Sequence, residues 1–152
     1  SVDNIRCLFV GCNLDVNNTE LTKLIKDAGL IKNITLLGHM SNVSSFMRTM
    51  DICVLSSVSE AFPNVIVESM LCGTPCVSTD VGDVANIIGE TGWISSPLDS
   101  KALAASVILA ANEKVVDVAI WNLRREKCRK RAVKLFSLDR MIKNYIKVWS
   151  RG

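Results

Sequence analysis

The sequence is poor in the residues that build most metal sites. His39 is its only histidine, and none of its six cysteines is separated by two residues from another. Structural zinc sites use four cysteine or histidine ligands, mostly in closely spaced pairs, so the pattern argues against a zinc-stabilised fold. Cys7, Cys53 and Cys76 lie in apolar, strand-like runs. We therefore expect reduced thiols packed in a core, in a cytosolic compartment.

Long apolar runs are also missing. No run approaches the roughly 18 residues that cross a bilayer, and the first residues lack a basic region and a cleavage site. The sequence thus predicts neither a secretory signal nor a membrane span. At 152 residues, 49% of them hydrophobic, it predicts a single globular domain covering residues 1–152. Because it lacks an initiator Met and enters an apolar strand almost at once, we interpret it as a fragment of a longer protein.

The positive charge is unevenly placed. Seven basic residues lie between 124 and 134, with Glu126 as the one acid among them. A solvated helix face is one interpretation, and contact with an anionic membrane surface or a phosphorylated partner is the other. No aromatic residues interleave these charges, so nucleic acid is not an expected partner. The expected location is cytoplasmic, with peripheral contact at the inner face of the membrane as the open alternative.

Short apolar runs alternate with single helical patterns through the first two thirds of the chain, and only helical patterns follow residue 98. The predicted strands cover residues 5–10, 34–37, 51–55, 75–78 and 92–95. This order predicts an α/β fold, a Rossmann-like doubly wound parallel sheet with C-terminal helices. Ligands of such sheets bind at the carboxyl ends of the strands. The loops at these ends are 11–18, 38–42, 56–64 and 79–83.

The loop 56–64 leads into a helix predicted over about 63–72. Pro63 suits the first helical position, so we expect the N–H groups of Asn64, Val65 and Ile66 to be free and directed at the cleft. Free amides and the helix dipole together favour an anion such as phosphate. The Ser57 hydroxyl adds a donor nearby.

Two carboxylates flank this helix start. Glu68 lies within an otherwise apolar helix, where a charge is costly unless it finds donors, and the two hydroxyls of a ribose would supply them. The alternative is that Glu68 is exposed and solvated. Glu60, in the loop, could accept hydrogen bonds from sugar hydroxyls and respond to positive charge at an anomeric carbon, or it could simply face water. Spacing alone leaves both pairs of alternatives open.

At these residues the chain resembles a known family. Glu60 and Glu68 stand eight apart in SEAFPNVIVESMLCGTPCVST, and further matching segments are LLGHM, VGDVANIIGETGWISSPLD and FSLDRMIKNYIKVW. Together these segments resemble the C-terminal, nucleotide-sugar-binding domain of family 4 retaining glycosyltransferases, one half of a GT-B fold. The resemblance implies transfer of a hexose-type sugar from a nucleotide-diphosphate donor to a glycan or lipid-linked acceptor in polysaccharide biosynthesis, with retention of configuration and without a metal or other cofactor.

The resemblance also implies residue roles. Glu60 would act on the donor sugar as the catalytic carboxylate, and Glu68 would hold the ribose. The remaining donor-binding candidates are Phe62, Pro63, Asn64 and Val65 for the sugar and diphosphate, Gly38, His39 and Met40 for the base, and Gly11 and Ser57.

The family's phosphate-clamping Arg and Lys, and its N-terminal acceptor domain, would lie upstream of this chain. The chain alone is therefore expected to be inactive. Asn86 stands where the family commonly has Glu. Two other functions stay open: a GT-B sugar-nucleotide epimerase, and a non-catalytic nucleotide-binding module.

Overall fold

The computed structural model describes residues 5–150, which fall into two compact units. The first ends at Val43 and the second begins at Ser44. The prediction of one domain over residues 1–152 stays a prediction, and each unit is described separately below.

The first unit is a β-α-β element. Its strands β1 (Cys7–Val10) and β2 (Ile34–Gly38) pair in parallel, with an irregularity in register between Phe9 and Val10. Helix α1 (Thr19–Asp27) connects them and begins after Asn18, whose side chain accepts a hydrogen bond from the Leu21 N–H at 3.0 Å. This N-cap satisfies one of the four amides that a helix start leaves unpaired.

The second unit holds the remaining elements. In chain order they are α2 (Ser44–Thr49), β3 (Cys53–Leu55), α3 (Asn64–Leu71), β4 (Cys76–Thr79), α4 (Val84–Ile88), a 3-10 turn (Gly89–Thr91), β5 (Trp93–Ser95), α5 (Ser100–Val116), α6 (Val118–Phe136) and α7 (Leu138–Trp149). The three strands form a parallel sheet in the order β3-β4-β5. Asp99, Asp117 and Ser137 cap the three C-terminal helices with their side chains.

The core of the second unit surrounds its central strand. All four residues of β4 are buried, as expected for a parallel strand covered on both faces. Helix α3 contributes Ile66 and Met70, both fully buried, and α6 contributes Cys128 and Ala132. Because α3 begins directly after the loop that follows β3, this packing fixes the direction in which the loop leaves the sheet.

The predicted fold class is confirmed. Parallel strands alternate with helices in the predicted order, and the chain after residue 98 is helical. The strands lie in a two-stranded and a three-stranded sheet within residues 5–150. The short helix α4 was not predicted, because the surrounding glycines indicated turns; its signal was the spacing of the buried residues Val84, Ile87 and Ile88.

The arginines of α6 contact the ends of neighbouring helices. Arg131 donates to the carbonyls of Ile87 at 2.8 Å and Asn86 at 2.6 Å, and Arg129 donates to the carbonyl of Leu71, the last residue of α3. Arg125 donates to Met50 O, just after α2, at 3.4 Å. The C-terminal carbonyls of a helix carry partial negative charge and lack intrahelical donors, so these guanidinium groups stabilise the helix ends.

A fourth arginine joins α6 to α5. Arg124 holds both carboxylate oxygens of Glu113, with N–O distances of 2.5 and 2.7 Å, and lies 4.3 Å from the centre of the Trp93 ring. Lys130 pairs with Glu126 within α6 at 2.5 Å, so five of the seven basic residues between 124 and 134 have contacts inside the unit. None of the helices within residues 5–150 is both long and apolar enough to cross a membrane.

Candidate functional site

The loops that follow β3 and β4 meet at the carboxyl edge of the three-stranded sheet. The Thr79 hydroxyl donates to the carbonyl of Ser57 at 2.6 Å, and the Asp83 N–H donates to the carbonyl of Ala61 at 3.2 Å. Gly82 lies so close that a Cβ there would be 2.2 Å from the carbonyl oxygen of Glu60. The two loops therefore form one surface, at the edge where parallel sheets bind ligands.

Glu60 is oriented by this surface. Its carboxylate accepts a hydrogen bond from the Ser57 hydroxyl at 2.7 Å, and the side chain is partly buried. Since Thr79 holds the backbone of Ser57, the position of the Glu60 carboxylate depends on β4 as well as on its own loop. A carboxylate has about four acceptor positions, so it can accept further hydrogen bonds from a ligand.

Glu68 lies on the outward side of α3. Its side chain is exposed, while Ile66, Val67 and Ser69 beside it are buried. Exposure is compatible with the solvated alternative and with a carboxylate that meets the two hydroxyls of a ribose when a nucleotide is bound. The role of Glu68 therefore stays a prediction.

The start of α3 differs from the prediction in two respects. The helix begins at Asn64, and Pro63 precedes it as the N-cap with φ −77° and ψ 95°. The Ile66 N–H donates to the carbonyl of Pro63 at 3.1 Å, so the prediction that this amide is free was wrong. No side chain in the described part of the chain caps the helix. The amides of Asn64 and Val65 are thus the two that this helix start can offer to an anion.

Phe62, at the tip of the loop, is supported by α6. Its ring packs edge-to-face on Phe136, with centroids 5.9 Å apart and an interplanar angle of 63°. The side chain is nevertheless 43% exposed, and Pro63 beside it is buried. The contact holds the aromatic ring and the backbone that follows it in place.

The remaining candidates lie in the first unit. The Gly11 N–H donates to the carbonyl of Gly38 at 2.9 Å, so the ends of β1 and β2 are joined. Gly38 has φ +65°, and a Cβ there would lie 3.1 Å from the Asp15 Cβ. His39 follows with an exposed side chain, and Met40 is partly buried. The structure therefore brings Gly11 and Gly38 together within this unit.

Three residues that support the site were not assigned to it from the sequence. Thr79 and Gly82 fix the backbone around Glu60, and Phe136 supports Phe62. Their partners lie between 22 and 74 residues away in the chain, beyond the reach of local patterns. A glycine in a loop after a predicted strand was the one available signal, and it indicated only a turn.

No group of three or more His, Cys, Asp or Glu side chains within residues 5–150 is placed to hold a metal ion. Within the same residues all six cysteines are free thiols: Cys53, Cys76 and Cys128 are buried, and Cys12 is exposed. Burial raises the pKa of the Cys128 thiol to about 12.

Comparison with known proteins places these features in a family. Residues 1–113 match the family model described as "Glycosyl transferases group 1". The chain is 26% identical over 127 residues to N-acetyl-alpha-D-glucosaminyl L-malate synthase of Bacillus anthracis, which covers 82% of this chain and 32% of that protein. It is also 26% identical over 133 residues to the Vi polysaccharide biosynthesis protein VipC/TviE of Salmonella typhi, covering 84% of this chain and 22% of that protein.

A solved structure shows the same fold. HepE of Anabaena in complex with UDP has a TM-score of 0.84 and 23% identity to this chain, and in complex with UDP-glucose a TM-score of 0.80 and 22% identity. Both comparisons cover 97% of this chain and 41% of HepE. The chain thus spans between 22% and 41% of the length of these proteins. From the family match over residues 1–113 and the fold shared with GT-B glycosyltransferases, we conclude that this chain belongs to the group 1 glycosyltransferases.

Proposed function

We propose that this chain is the donor-binding domain of a family 4 retaining glycosyltransferase. The enzyme transfers a hexose-type sugar from a nucleotide-diphosphate donor to a glycan or lipid-linked acceptor during polysaccharide synthesis, in the cytoplasm. The observation that carries the proposal is the Glu60 carboxylate, held by Ser57 at 2.7 Å on the carboxyl edge of a parallel sheet, in a chain of the group 1 family. The similarity to the Vi polysaccharide biosynthesis protein VipC/TviE supports a role in polysaccharide synthesis, and the similarity to HepE in complex with UDP-glucose supports a nucleotide sugar as donor.

The second unit holds the diphosphate and the ribose of the donor. The amides of Asn64 and Val65 at the start of α3 receive the diphosphate, since uncapped amides and the helix dipole favour an anion. Glu68 accepts hydrogen bonds from both ribose hydroxyls. For the backbone of residues 38–40, in the first unit, the proposed role is binding of the base. UDP in HepE supports uracil as that base.

Glu60 acts on the sugar. Its carboxylate accepts hydrogen bonds from sugar hydroxyls and stabilises the positive charge that develops at the anomeric carbon as the diphosphate leaves. Ser57 is a positioning residue, because it fixes the carboxylate without occupying all of its acceptor sites. We propose that no metal or other cofactor takes part.

The acceptor binds to a further domain. Helix α7 has an amphipathic pattern and no buried residue, and its apolar side chains at positions 138, 141, 142 and 145 are between 43% and 65% exposed. We propose that the acceptor domain covers this face. Any peripheral contact with an anionic membrane would use Lys127 and Lys134, since the four arginines of the basic segment contact backbone carbonyls or Glu113 and Lys130 pairs with Glu126.

The proposal is tested by donor kinetics of the protein that contains this chain. With a UDP-sugar as donor, Glu68→Gln is expected to raise the donor KM and to lower kcat/KM roughly 10- to 100-fold, the value of one or two charge-assisted hydrogen bonds. Glu60→Gln is expected to lower kcat. Glu126→Gln removes an exposed carboxylate on α6 and should change neither constant.

An unchanged kcat/KM in Glu68→Gln would contradict the ribose role. NMR of the product reports whether the anomeric configuration is retained, and an inverted product would contradict the proposed class. Release of an isomerised sugar nucleotide in the absence of any acceptor would identify an epimerase instead.

A further inference from the structure

The first unit holds a carboxylate at the carboxyl ends of its two strands. Asp15 lies in the loop after β1, and its side chain is partly buried. This loop is joined to the end of β2, because the Gly38 N–H donates to the carbonyl of Leu14 and the Gly11 N–H donates to the carbonyl of Gly38, each at 2.9 Å. Asp15 therefore lies beside the start of the segment 38–40, at the edge where parallel sheets bind ligands.

The loop fixes the position of Asp15. The Asn18 N–H donates to the carbonyl of Asp15 at 3.2 Å, and the Asn18 side chain donates to the carbonyl of Asn13 at 2.9 Å. A Cβ at Gly38 would lie 3.1 Å from the Asp15 Cβ, so the glycine lets the Asp15 side chain approach the end of β2 closely. The carboxylate is thus held in place without a ligand.

One of the two carboxylate oxygens has a protein donor and the other does not. Asp15 Oδ1 accepts a hydrogen bond from the Asn17 N–H at 2.7 Å. Within the described residues 5–150, Oδ2 has neither a hydrogen-bond donor nor a cationic partner. It lies 3.9 Å from the position of a Cβ on Gly38. A ligand N–H that replaces water at Oδ2 would make a charge-assisted hydrogen bond.

We propose that Asp15 Oδ2 accepts the ring N–H of the donor's base and so selects uracil. This inference rests on the proposed function, which assigns the base to the backbone of residues 38–40. Uracil has one ring N–H, at N3, between two carbonyl groups. One oxygen without a protein donor matches one N–H of the base. Asp15 is therefore a specificity-determining residue for the donor nucleotide.

The other bases match Asp15 less well. Cytosine and adenine carry no proton on the corresponding ring nitrogen, so a lone pair would face the negative oxygen. Guanine presents two adjacent N–H groups, which suit a carboxylate that offers both oxygens, whereas Oδ1 of Asp15 is engaged by Asn17. A site that accepts a hydrogen bond from its substrate rejects analogues that lack the donor, because the site's acceptor is then left unpaired.

Nucleotide binding to the protein that contains this chain tests the proposal. The wild type should bind UDP about tenfold or more tightly than CDP. In Asp15→Asn the Asn17 N–H keeps its oxygen acceptor, so the new amide NH₂ takes the place of Oδ2 and faces the uracil N3–H. The affinity for UDP should therefore fall roughly 10- to 100-fold, and the preference for UDP over CDP should disappear.

Asp27→Asn is the matched control. It removes an exposed carboxylate at the end of α1, in the same unit, and should change neither affinity. Urea unfolding of Asp15→Asn should match the wild type, because the hydrogen bond from Asn17 is retained. This readout separates recognition of the base from a purely structural role of Asp15.

Modified nucleotides supply a readout that needs no variant. N3-methyl-UDP lacks the ring N–H, whereas 5-methyl-UDP keeps it and carries the same added methyl group on another ring atom. The wild type should bind N3-methyl-UDP about tenfold or more weakly than 5-methyl-UDP. In Asp15→Asn the difference between the two should shrink.

Equal wild-type affinities for UDP and CDP overturn the proposal, and so does an unchanged ratio of the two in Asp15→Asn. Tighter binding of GDP than of UDP overturns uracil as the base. If Glu68→Gln weakens UDP binding while Asp15→Asn does not, the proposed function stands and the role of Asp15 is wrong. If the wild type neither binds UDP nor uses any nucleotide sugar, the proposed function itself is wrong.

Discussion

Gly82 allows the loops that follow β3 and β4 to approach closely, because it has no Cβ. Its φ is +55°, and a Cβ there would lie 2.2 Å from Glu60 O and 2.6 Å from Ala61 O. Gly82→Ala is expected to combine left-handed backbone strain of about 1–2 kcal/mol with a clash that costs roughly 1–3 kcal/mol more, and to displace Glu60. Urea unfolding measures the loss of unfolding free energy. The displacement of Glu60 is measured by kcat of the protein that contains this chain.

Gly29→Ala is the matched control. Gly29 has φ +70° but no atom within 4 Å of an added Cβ, so the substitution imposes the backbone strain without the clash. Its loss of unfolding free energy should therefore be the smaller of the two, with kcat unchanged. Equal losses in both variants would show that the approach of the two loops does not constrain Gly82.

The buried thiol of Cys128 makes the free energy of unfolding depend on pH in the alkaline range. Burial raises its pKa from the ordinary 9.0 to about 12, so the unfolded chain loses this proton at lower pH than the folded chain. The stability contributed by the neutral thiol is therefore complete below pH 9 and is lost as the pH rises toward 12. Within this window the unfolding free energy of the wild type should fall about 1.4 kcal/mol per pH unit more steeply than that of Cys128→Ala. Parallel curves in urea titrations would contradict this assignment.

At the scale of the element, arginine side chains of α6 cap the C-terminal ends of neighbouring helices. Arg131→Met should leave the carbonyls of Asn86 and Ile87 without their donor and lower the unfolding free energy by about 1–3 kcal/mol. Lys127→Met removes the same charge from α6, but Lys127 makes no side-chain hydrogen bond or ion pair within residues 5–150, so a change under about 0.5 kcal/mol is expected.

Denaturant unfolding gives the loss of unfolding free energy in each variant, and hydrogen exchange shows which helix has become less stable. Faster exchange in α4 of Arg131→Met, with α5 unchanged, is the expected pattern. If Lys127→Met destabilises as much as Arg131→Met, then the net charge of α6 matters and the capping of α4 does not.

At the scale of the whole molecule, the proposed function predicts weak nucleotide binding by this chain alone. The resemblance places the phosphate-clamping bases and the acceptor domain outside it, so part of the contact surface is missing and affinity falls accordingly. Saturation-transfer NMR with UDP-, GDP- and ADP-sugars should show contact with the UDP-sugar, and Glu68→Gln should reduce that signal while Glu126→Gln should not. Tight binding by the chain alone would favour a nucleotide-binding module.

Much of the fold was predictable because it depends on local pattern. Apolar runs such as Cys7–Val10 and Cys76–Thr79 form strands, of which the second is buried throughout, and the helical spacing of α1, α5 and α6 appears directly in the sequence. The motif around Glu60 and Glu68 indicated the family, which the match over residues 1–113 confirms. The residue roles stay predictions, because neither the fold nor the family match tests them.

The sequence by itself determined the order of the strands and of the helices other than α4, the fold class, and the two carboxylates near the start of α3, Glu60 and Glu68. Only the tertiary structure decided how Glu60 is held, why Gly82 is needed, and which arginines of α6 are committed to helix ends. The physical reason is the distance along the chain over which each kind of interaction acts. Hydrophobic periodicity acts over a few residues, whereas the bonds from Thr79 to Ser57 and from Arg131 to Ile87 join residues 22 and 44 positions apart, which become neighbours only when the sheet and its helices have packed.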